Sequence, residues 1–457
     1  MKIIPSLLLS LCLLLSIESW ALERLKRIER LEWSQFKKSS QYHDFVGAIK
    51  TMRANDDPND SNSWLYWANI HEHNCPHRVP YFLAWHRGYL YLFEKKLQEL
   101  SGNHQLRLPY WDYYANSHIP PEFTTDTDSP LYMPRSNTNV YSALSLAPFE
   151  QKSYFERGAS SAFETAIESR PHNPVHNLIG NLMLTMQSPQ DPIFWLHHAN
   201  IDRLWSAWAA AEENSDKMPS QSSPYWEGEF IYTADVSLDK SKTIDTESGL
   251  NYTYDNLTLP TTIAEQAPPR PPLADVDTIA PRSISPNSFS MGGGIGLSLG
   301  EDSLSVSVPV GQDSESEFIW RSIDKPSTTT KLLLKGVRLT EAGMQGGYFY
   351  TLYLNLPQEP TQQDFDNTHF VGTLGAFEIQ GIFIHHKHHA AHTGWTEDQG
   401  IDIEFDISEI LPKTITTGAG SISVSFIRSK TENATQGEMV FIQSFEITSS
   451  EVDSDKR

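Results

Sequence analysis

The 457-residue sequence has few cysteines, few positive charges and few long apolar runs. Its two cysteines, Cys12 and Cys75, are too few to build an iron–sulfur cluster. The 35 Lys and Arg residues are outnumbered by 57 Asp and Glu residues, giving a net charge of −22. This balance argues against a nucleic-acid or anionic-membrane partner, because both attract clustered positive charge. Hydrophobic residues still make up 39% of the chain, which is enough for a sizeable core and excludes wholesale disorder.

An apolar run over residues 3–17 is too short to span a membrane comfortably. Lys2 precedes it, and residues 19–21 follow with a small-x-small pattern. These features predict a secretory signal peptide over residues 1–21 and a secreted or extracytoplasmic protein, with an uncleaved anchor as the alternative. Cleavage would remove Cys12 and leave Cys75 as the single cysteine, which excludes an internal disulfide in the mature chain.

Residues 22–262 are rich in tryptophan and histidine and predict a mainly α domain. Apolar residues at helical spacing predict helices over residues 22–52, 87–100, 160–169, 175–186 and 194–211. Residues 263–290 predict an extended, semi-rigid linker, because six prolines fall within the 21 positions 266–286.

Beyond the linker, residues 291–457 change to a hydrophobic period of two. The predicted strands are 303–310, 331–339, 348–356, 370–379, 401–407, 421–427 and 439–447. The glycine-rich stretch 292–296 follows no clear strand and opens no helix, which favours a flexible turn over a phosphate-binding loop. The predicted fold class is therefore a mainly α domain followed by an antiparallel β-sandwich.

The 17 histidines are unevenly spread, and many of them fall in two dense clusters of the helical part. The first cluster has His71, His73, His77 and His86 beside Cys75, and the second has His172, His176, His197 and His198. His172 and His176 are spaced i and i+4, so on a helix they share one face and can hold one ion. Three neutral imidazoles per cluster suit copper, zinc or nickel. The spacing alone leaves copper and zinc both open.

Two segments around these histidines resemble the copper signatures of the tyrosinase family, which includes catechol oxidases, plant polyphenol oxidases and molluscan haemocyanin units. The first signature is similar to His77-x4-Phe82-Leu83-Ala84-Trp85-His86-Arg87-x2-Leu90-x3-Glu94. The second is similar to Asp191-Pro192-x-Phe194-Trp195-x2-His198-x3-Asp202. Both match at every fixed position, and the resemblance covers about residues 40–260 well.

The resemblance implies a four-helix-bundle core that holds a type 3 pair of copper ions. It implies two sets of three ligands: His71, His77 and His86 for the first copper, and His172, His176 and His198 for the second. The fixed spacing to Asp202 makes His198 the ligand rather than His197, and His73 has no counterpart in the family. With O2 as co-substrate, such a pair would ortho-hydroxylate small monophenols, oxidise o-diphenols to o-quinones, or do both.

The same resemblance gives roles to three further residues. Cys75 and His77 are similar to the Cys-x-His pair that forms a thioether in fungal tyrosinases and molluscan haemocyanins, with a buried unreacted thiol as the alternative. Glu168 and Asn173 are similar to the residues that orient a water, which takes the proton of the phenol. The alternative for these two is structural, as an exposed helix-end glutamate and a turn asparagine.

The β-rich part resembles the domain that shields the copper site in latent family members. A trypsin-like protease could cut the linker at Arg270 or Arg282, so we expect a latent enzyme that linker cleavage activates; a permanent accessory domain is the alternative.

The tract His385–His392 is predicted on a loop or strand end, where it either hands copper to the catalytic pair or binds metal adventitiously. Three other functions stay open: an oxygen carrier like a haemocyanin unit, a diphenol-only catechol oxidase, and a zinc-bound or metal-vacant structural protein.

Overall fold

The computed structural model describes residues 29–264, 273–277, 289–309 and 328–451, apart from short gaps at 151, 153, 159–160, 358, 362, 416–420, 430, 432 and 434. The predicted signal peptide and the two linker arginines, Arg270 and Arg282, lie outside the described residues. Within the described ranges, no helix is both long enough and apolar enough to cross a membrane.

In the described residues, most α-helices lie before residue 262 and two lie beyond it. In chain order, the α-helices are α1 Trp33–Phe36, α2 Gln41–Arg53, α3 Trp64–Asn74, α4 Phe82–Ser101, α5 Phe163–Ile167, α6 Asn173–Ile179, α7 Ile193–Ala210, α8 Thr246–Leu250, α9 Ala376–Thr393 and α10 Leu411–Thr414. A π turn over Glu168–His172 joins α5 to α6. Ser63 caps the N-terminus of α3, because its Oγ accepts a hydrogen bond from the Leu65 N–H at 3.2 Å. Helix α4 ends at Gly102 with a φ of 67°, a left-handed conformation that glycine adopts without strain.

Helix α7 lies at the centre of the helical core, because it is buried on nearly every side. A helix of this kind needs neighbours around its whole circumference. The ring of Trp195 packs against Trp64 of α3 with centroids 6.1 Å apart. The neighbouring Phe194 lies 5.1 Å from the ring of His71. Aromatic side chains of α7 therefore position α3 and the histidine that it carries.

The strands of the helical part are short, and those beyond residue 262 form two sheets. The strands are β1 Glu29–Arg30, β2 Glu229–Thr233, β3 Val236–Asp239, β4 Thr253–Tyr254, β5 Leu273–Asp277, β6 Phe289–Leu299, β7 Ser303–Pro309, β8 Thr328–Leu339, β9 Tyr350–Leu354, β10 Phe370–Leu374, β11 Ile401–Asp406, β12 Ser421–Arg428 and β13 Val440–Glu451. One sheet has the order β10-β9-β12-β7-β5 and the other β11-β8-β13-β6. Within these two sheets, neighbouring strands are antiparallel except for the parallel pair β5–β7; in the helical part, the short strands β1 and β4 also pair in parallel. Leu352 and Val424 of the first sheet share one core with Leu334 and Ile442 of the second.

The predicted fold class, a mainly α domain followed by an antiparallel β-sandwich, is confirmed. The residues at which one domain ends and the next begins, 262 and 291, stay a prediction. Strand β5 lies inside the predicted linker 263–290, so that segment contributes an edge strand to the sandwich.

The prediction of a strand over 370–379 is wrong in its second half. Strand β10 ends at Leu374 and helix α9 begins at Ala376, so the tract His385–His392 lies on a helix rather than on a loop or strand end. The Oδ1 of Asn177 in α6 accepts a hydrogen bond from the Phe377 N–H at 2.8 Å, across 200 positions of sequence. A cap that comes from a distant segment leaves no local signal for a helix start.

Two other predictions change as well. The stretch 292–296 belongs to β6 and pairs with β13, so it is not a flexible turn; glycines have no side chains to show the alternation of a strand. The described portion of 22–52 is not one helix but β1, α1 and α2. The Trp33 N–H donates to the carbonyl of Tyr110 at 2.8 Å. This N–H is therefore not available for a hydrogen bond within one continuous helix.

A buried group of charges connects the beginning and the end of the helical part to α7. The carboxylate of Asp202 accepts hydrogen bonds from Arg87 Nε at 2.6 Å and from Arg30 Nη1 at 3.4 Å. The hydroxyl groups of Tyr252 and Tyr254 donate to the same carboxylate. Burial by itself would raise the pKa of Asp202, but the guanidinium groups of Arg87 and Arg30 hold it below its ordinary value.

We expect Asp202→Asn to destabilise the helical part by about 3–5 kcal/mol, because it leaves the buried guanidinium of Arg87 without its carboxylate. Urea unfolding followed by tryptophan fluorescence measures the effect. The matched control is Asp235→Asn, at an exposed position. Equal unfolding midpoints for the two variants would contradict the structural role of Asp202.

Candidate metal centre

The first histidine cluster is formed by two helices and the segment between them. His71 lies in the last turn of α3, His86 in the second turn of α4, and His77 in the connecting segment. Their ring centroids are 5.4–5.6 Å apart in all three pairs, which is almost an equilateral triangle. His71 and His86 are buried, whereas His77 is partly exposed.

The second cluster is fully buried. His172 directly precedes α6, His176 lies one turn later, and His198 lies on α7. The Nε2 of His198 lies 3.3 Å from the Nε2 of His172 and 3.3 Å from that of His176. The i, i+4 pair therefore faces the third histidine, as its spacing predicts.

Hydrogen bonds fix which nitrogen of four rings points into the clusters. The Nδ1–H groups of three rings donate to backbone carbonyls at 2.7 Å: His71 to Met186, His86 to Phe82, and His176 to Met183. The Nδ1–H of His172 donates to the Oδ1 of Asn173 at 2.8 Å. A carbonyl oxygen can only accept, so each Nδ1 carries the proton and each Nε2 presents a lone pair.

The described residues supply too few donors for these inward lone pairs, and the set of nitrogen atoms fits a metal ion in each cluster. The Nε2 atoms of His172 and His176 carry no proton, and the Nε2 of His198 could donate to only one of them. The Nε2 of His71 has no hydrogen-bond partner among the described residues. Burial lowers the pKa of all six rings, that of His71 to about 4, so the rings are neutral near pH 7. Three converging neutral imidazoles are a donor set that suits copper.

The two clusters are in contact with each other. The ring of His86 stacks on that of His198 with centroids 4.4 Å apart and an angle of 16° between the planes. The ring of His77 stacks on that of His172 at 5.7 Å. Two ions held here would therefore share one pocket.

Two other histidines of these segments differ in their surroundings. His197 is buried, stacks on His172 at 5.3 Å, and has a nitrogen within 4.8 Å of the ligand atoms of the second cluster. Proximity alone therefore does not separate it from His198, and the convergence of the Nε2 atoms favours His198. His73 is exposed, and its Nδ1–H donates to the carbonyl of Asn69 at 2.7 Å, so it lies outside the first cluster.

Cys75 ends α3 and lies against the first cluster. Its Sγ is 3.3 Å from the Nδ1 and 3.7 Å from the Nε2 of His77, so it faces the ring carbon between these nitrogens. The same sulfur lies 3.3 Å from the Nε2 of His86. The structure brings Cys75 to the edge of His77, and the thioether between them stays a prediction.

Glu168 is a buried, paired carboxylate rather than an exposed helix end. The Arg78 N–H donates to its Oε1 at 2.8 Å, and the guanidinium of Arg157 forms an ion pair with its Oε2. Asn173 is also buried and lies in the same cavity wall as Glu168.

Glu164 lies one helical turn before Glu168 and has a different role. Its carboxylate caps α4 by accepting a hydrogen bond from the Leu83 N–H at 3.1 Å. Burial raises the pKa of Glu164 to about 7.

Sequence analysis missed the aromatic residue that covers the site. The ring of Phe377, on α9, stacks on His176 with centroids 4.1 Å apart and lies 5.2 Å from His77 and 5.6 Å from His172. Asn177 holds this end of α9, because its Nδ2 also donates to the carboxylate of Glu378 at 2.7 Å. Phe377 belongs to the β-rich part and packs on the helical part, so nothing in its local sequence marks the contact.

A cavity of about 560 Å3 opens between the two parts beside the first cluster. Cys75, His77, Glu168 and Asn173 line it from the helical part, and Phe377 lines it from α9. The second cluster lies behind Phe377, whereas the partly exposed His77 faces the cavity directly. Access to the second cluster therefore depends on the position of α9.

Comparisons with known proteins agree with this geometry. The profile of the Tyrosinase family, described as the common central domain of tyrosinase, matches residues 39–151 and 125–211. The tyrosinase of Streptomyces glaucescens is 28% identical over 235 residues, which cover 42% of this chain and 80% of that protein. The tyrosinase of Streptomyces antibioticus is 30% identical over 193 residues, which cover 32% of this chain and 69% of that protein.

Solved structures resemble both parts of the chain, among them latent aurone synthase and latent apple tyrosinase. The structure of latent apple tyrosinase superimposes with a TM-score of 0.53 at 18% sequence identity, covering 92% of this chain and 97% of that one. At this identity the likeness concerns the fold. It extends over the helical part and the β-sandwich together.

We expect His198→Gln to lose one of the two bound copper ions, because it removes the Nε2 on which His172 and His176 converge. The neighbouring variant His197→Gln is the matched control and should keep both. Elemental analysis of the purified, copper-loaded variants gives the metal content per chain. Loss of copper in His197→Gln but not in His198→Gln would reverse the ligand assignment.

Proposed function

This chain belongs to the tyrosinase family of copper oxidoreductases, and we propose that it is a phenol oxidase that uses O2 to ortho-hydroxylate monophenols and to oxidise o-diphenols to o-quinones. One observation carries the proposal: two clusters of three neutral histidines are in contact with each other beside a single cavity. Small phenols fit the size of this cavity.

Six histidines of the chain would hold the copper pair. The proposed ligands are His71, His77 and His86 for the first ion, and His172, His176 and His198 for the second. When bound, the copper pair supplies the two-electron chemistry with O2. The protein fixes four of the rings through their Nδ1 hydrogen bonds, excludes water from the second cluster, and places a proton acceptor at the cavity wall.

Glu168 is the proposed acceptor of the phenol proton, through a water. Its two oxygens are held by the Arg78 N–H and the Arg157 guanidinium, and each oxygen keeps a further lone pair that can accept from a water. The Oδ1 of Asn173 is held by His172, which fixes the side-chain amide beside the same cavity. This arrangement supports hydroxylation of monophenols, whose hydroxyl group must lose its proton to react.

We further propose that the β-rich part keeps the enzyme latent. Phe377 covers His77, His172 and His176, so its ring takes the place that a phenol ring would need at the histidines. Cleavage of the linker at Arg270 or Arg282 would release this part. The shared fold with a tyrosinase described as latent supports the proposal.

Two proposals concern the maturation of the chain. The apolar run 3–17 supports export with removal of residues 1–21, and sequencing the N-terminus of the exported protein would test it. The approach of Cys75 to His77 supports a thioether, which would fix the His77 ring. An intact peptide mass that shows a free thiol at Cys75 in the copper-loaded protein would reject the thioether.

We expect Phe377→Ala to activate the full-length enzyme without proteolysis. Removing a buried phenylalanine ring weakens the covered state by about 2 kcal/mol, which shifts the ratio of open to covered molecules roughly 30-fold. Initial rates of o-diphenol oxidation before and after linker cleavage measure the gain. Phe383→Ala is the control, because this residue of α9 packs on Trp395 rather than on the histidines. Equal low rates in both full-length variants would contradict closure by Phe377.

We expect Glu168→Gln and Asn173→Gly, made in the linker-cleaved enzyme, to lower kcat/KM for a monophenol by about 100-fold. The reason is the loss of a positioned proton acceptor. Oxidation of an o-diphenol should change little in Glu168→Gln, and should fall less than monophenol turnover in Asn173→Gly, which also removes the hydrogen-bond acceptor of His172. Glu164→Gln is the control, since it removes a buried carboxylate that caps α4. Unchanged monophenol turnover in both test variants would contradict the assignment of the water-holding pair.

A further inference from the structure

Arg78 directly follows the proposed copper ligand His77 and lines the same cavity. Its φ is 59°, a left-handed conformation that glycine and asparagine adopt more easily than a residue with a long side chain. Its N–H holds Glu168 at 2.8 Å, a contact that any residue except proline can make. The backbone thus gives no reason for an arginine at this position, and the guanidinium has to be explained by its own contacts.

The contacts of the Arg78 guanidinium come from the β-rich part. Its Nη2 donates to the carbonyl of Glu404 at 2.7 Å, and its Cζ lies 5.2 Å from the centroid of the Phe405 ring. Both residues belong to β11. In the described part of the chain, this guanidinium forms no ion pair with a carboxylate. Release of the β-rich part would therefore leave the charge of Arg78 without these contacts.

Other charged groups that line the cavity have partners of their own. The pairs are Arg157 with Glu168, Lys331 with the carboxylate of Glu404, and Glu72 with the side-chain amide of Gln187. Among the described residues that line the cavity, Arg78 is thus the cation without a carboxylate partner. A guanidinium beside a site for small molecules is a suitable group to bind an anionic part of such a molecule.

The β-rich part places a ring and an oxygen where the two ends of a substrate would bind. The ring of Phe377 packs on the histidines of the proposed copper site, and the carbonyl oxygen of Glu404 accepts from Arg78. Both residues line the same cavity. A phenol with a carboxylate on a short side chain has the same two features. Its carboxylate is a better acceptor than a carbonyl, because it is charged and can accept two parallel hydrogen bonds from a guanidinium.

We propose that Arg78 is a specificity-determining residue, which binds the carboxylate of phenolic acids once the β-rich part is released. This role rests on the proposed function and its latent state, and deepens them by naming the substrate class. Arg78 would bind the side chain of the substrate rather than its reacting ring, so it would stabilise the bound substrate and the transition state equally. Loss of such an interaction raises KM and leaves kcat nearly unchanged.

The test compares two o-diphenols of nearly equal size, dihydrocaffeate and its primary amide, as substrates of the copper-loaded, linker-cleaved chain at pH 7. An o-diphenol is chosen because its oxidation depends little on Glu168, which the Arg78 N–H holds. Arg78→Gln removes the charge and keeps the N–H, whereas Arg78→Lys keeps the charge.

Arg170→Gln is the matched control for this comparison. The guanidinium of Arg170 also reaches the β-rich part, at the carbonyl of Asp366 at 2.6 Å and over the ring of Phe370 at 3.4 Å. It does not belong to the residues that line the cavity. The variant should therefore keep the wild-type ratio of the two KM values.

Wild type should have a KM for dihydrocaffeate about tenfold below that for the amide, because a hydrogen bond to a charged group contributes roughly this factor. Arg78→Gln should abolish the difference by raising KM for the acid alone, with kcat nearly unchanged. Arg78→Lys should keep part of it, since an ammonium group cannot pair with both carboxylate oxygens as a guanidinium does. Equal KM values for acid and amide in wild type, or a wild-type ratio in Arg78→Gln, would overturn the role of Arg78.

A binding measurement without copper separates this role from the proposed function. Phenylpropionate and phenylpropionamide lack the phenol hydroxyl, and the copper-free chain offers a carboxylate no metal ion to bind. Ligand-observed NMR with the linker-cleaved chain should show about tenfold tighter binding of the acid by wild type, and no difference in Arg78→Gln. Oxidation of neither diphenol by the copper-loaded chain would reject the proposed function, whereas equal binding of acid and amide by wild type would reject the role of Arg78.

Discussion

The structure depends on one constraint: six neutral imidazole rings converge inside the protein, and at least four of them keep an Nε2 lone pair directed inward. Such an arrangement is costly without a cation, because buried acceptors without donors lose their hydration. The chain holds it by tying the far side of the rings to fixed groups. Two of the carbonyls that accept from these rings belong to Met183 and Met186, in the connection between α6 and α7. This short connection therefore helps to orient histidines of both clusters.

The β-rich part is attached to the same residues that hold the histidines. Asn177 follows His176 in sequence, and its side chain and carbonyl bind Phe377, Glu378 and Gly347 of the β-rich part. Burial raises the pKa of Glu378, whose carboxylate accepts from Asn177 and from Thr373 at 3.0 Å. On the opposite wall of the cavity, Arg78 gives its N–H to Glu168 and its guanidinium to the carbonyl of Glu404 at 2.7 Å. Both parts of the proposed chemistry, the metal ligands and the proton acceptor, are thus in contact with the proposed cover.

The spacing of residues predicted those features that are determined within a single helix or strand. The i, i+4 pair His172 and His176 faces one point, and the alternation of apolar residues from 303 onwards forms a sandwich, because both patterns arise from the geometry of a single element. The features that sequence did not predict depend on contacts between distant segments. Helix α9 is capped by Asn177 from another part of the chain. Its apolar residues Ile379, Ile382 and Ile384 do not indicate a helix, because isoleucine is also favoured in strands. Phe377 took no role for the same reason: its partners, the histidine rings of the helical part, are known only once the two parts are folded together.

The measurement that tests the central claim most directly is oxygen uptake by the copper-loaded protein with a simple monophenol, recorded for the intact and the linker-cleaved chain. The account predicts uptake with formation of coloured quinone by the cleaved chain, and a much lower rate by the intact chain, in which Phe377 covers the histidines. Absence of uptake by the cleaved chain with both a monophenol and an o-diphenol, at two copper ions per chain, would contradict a phenol oxidase.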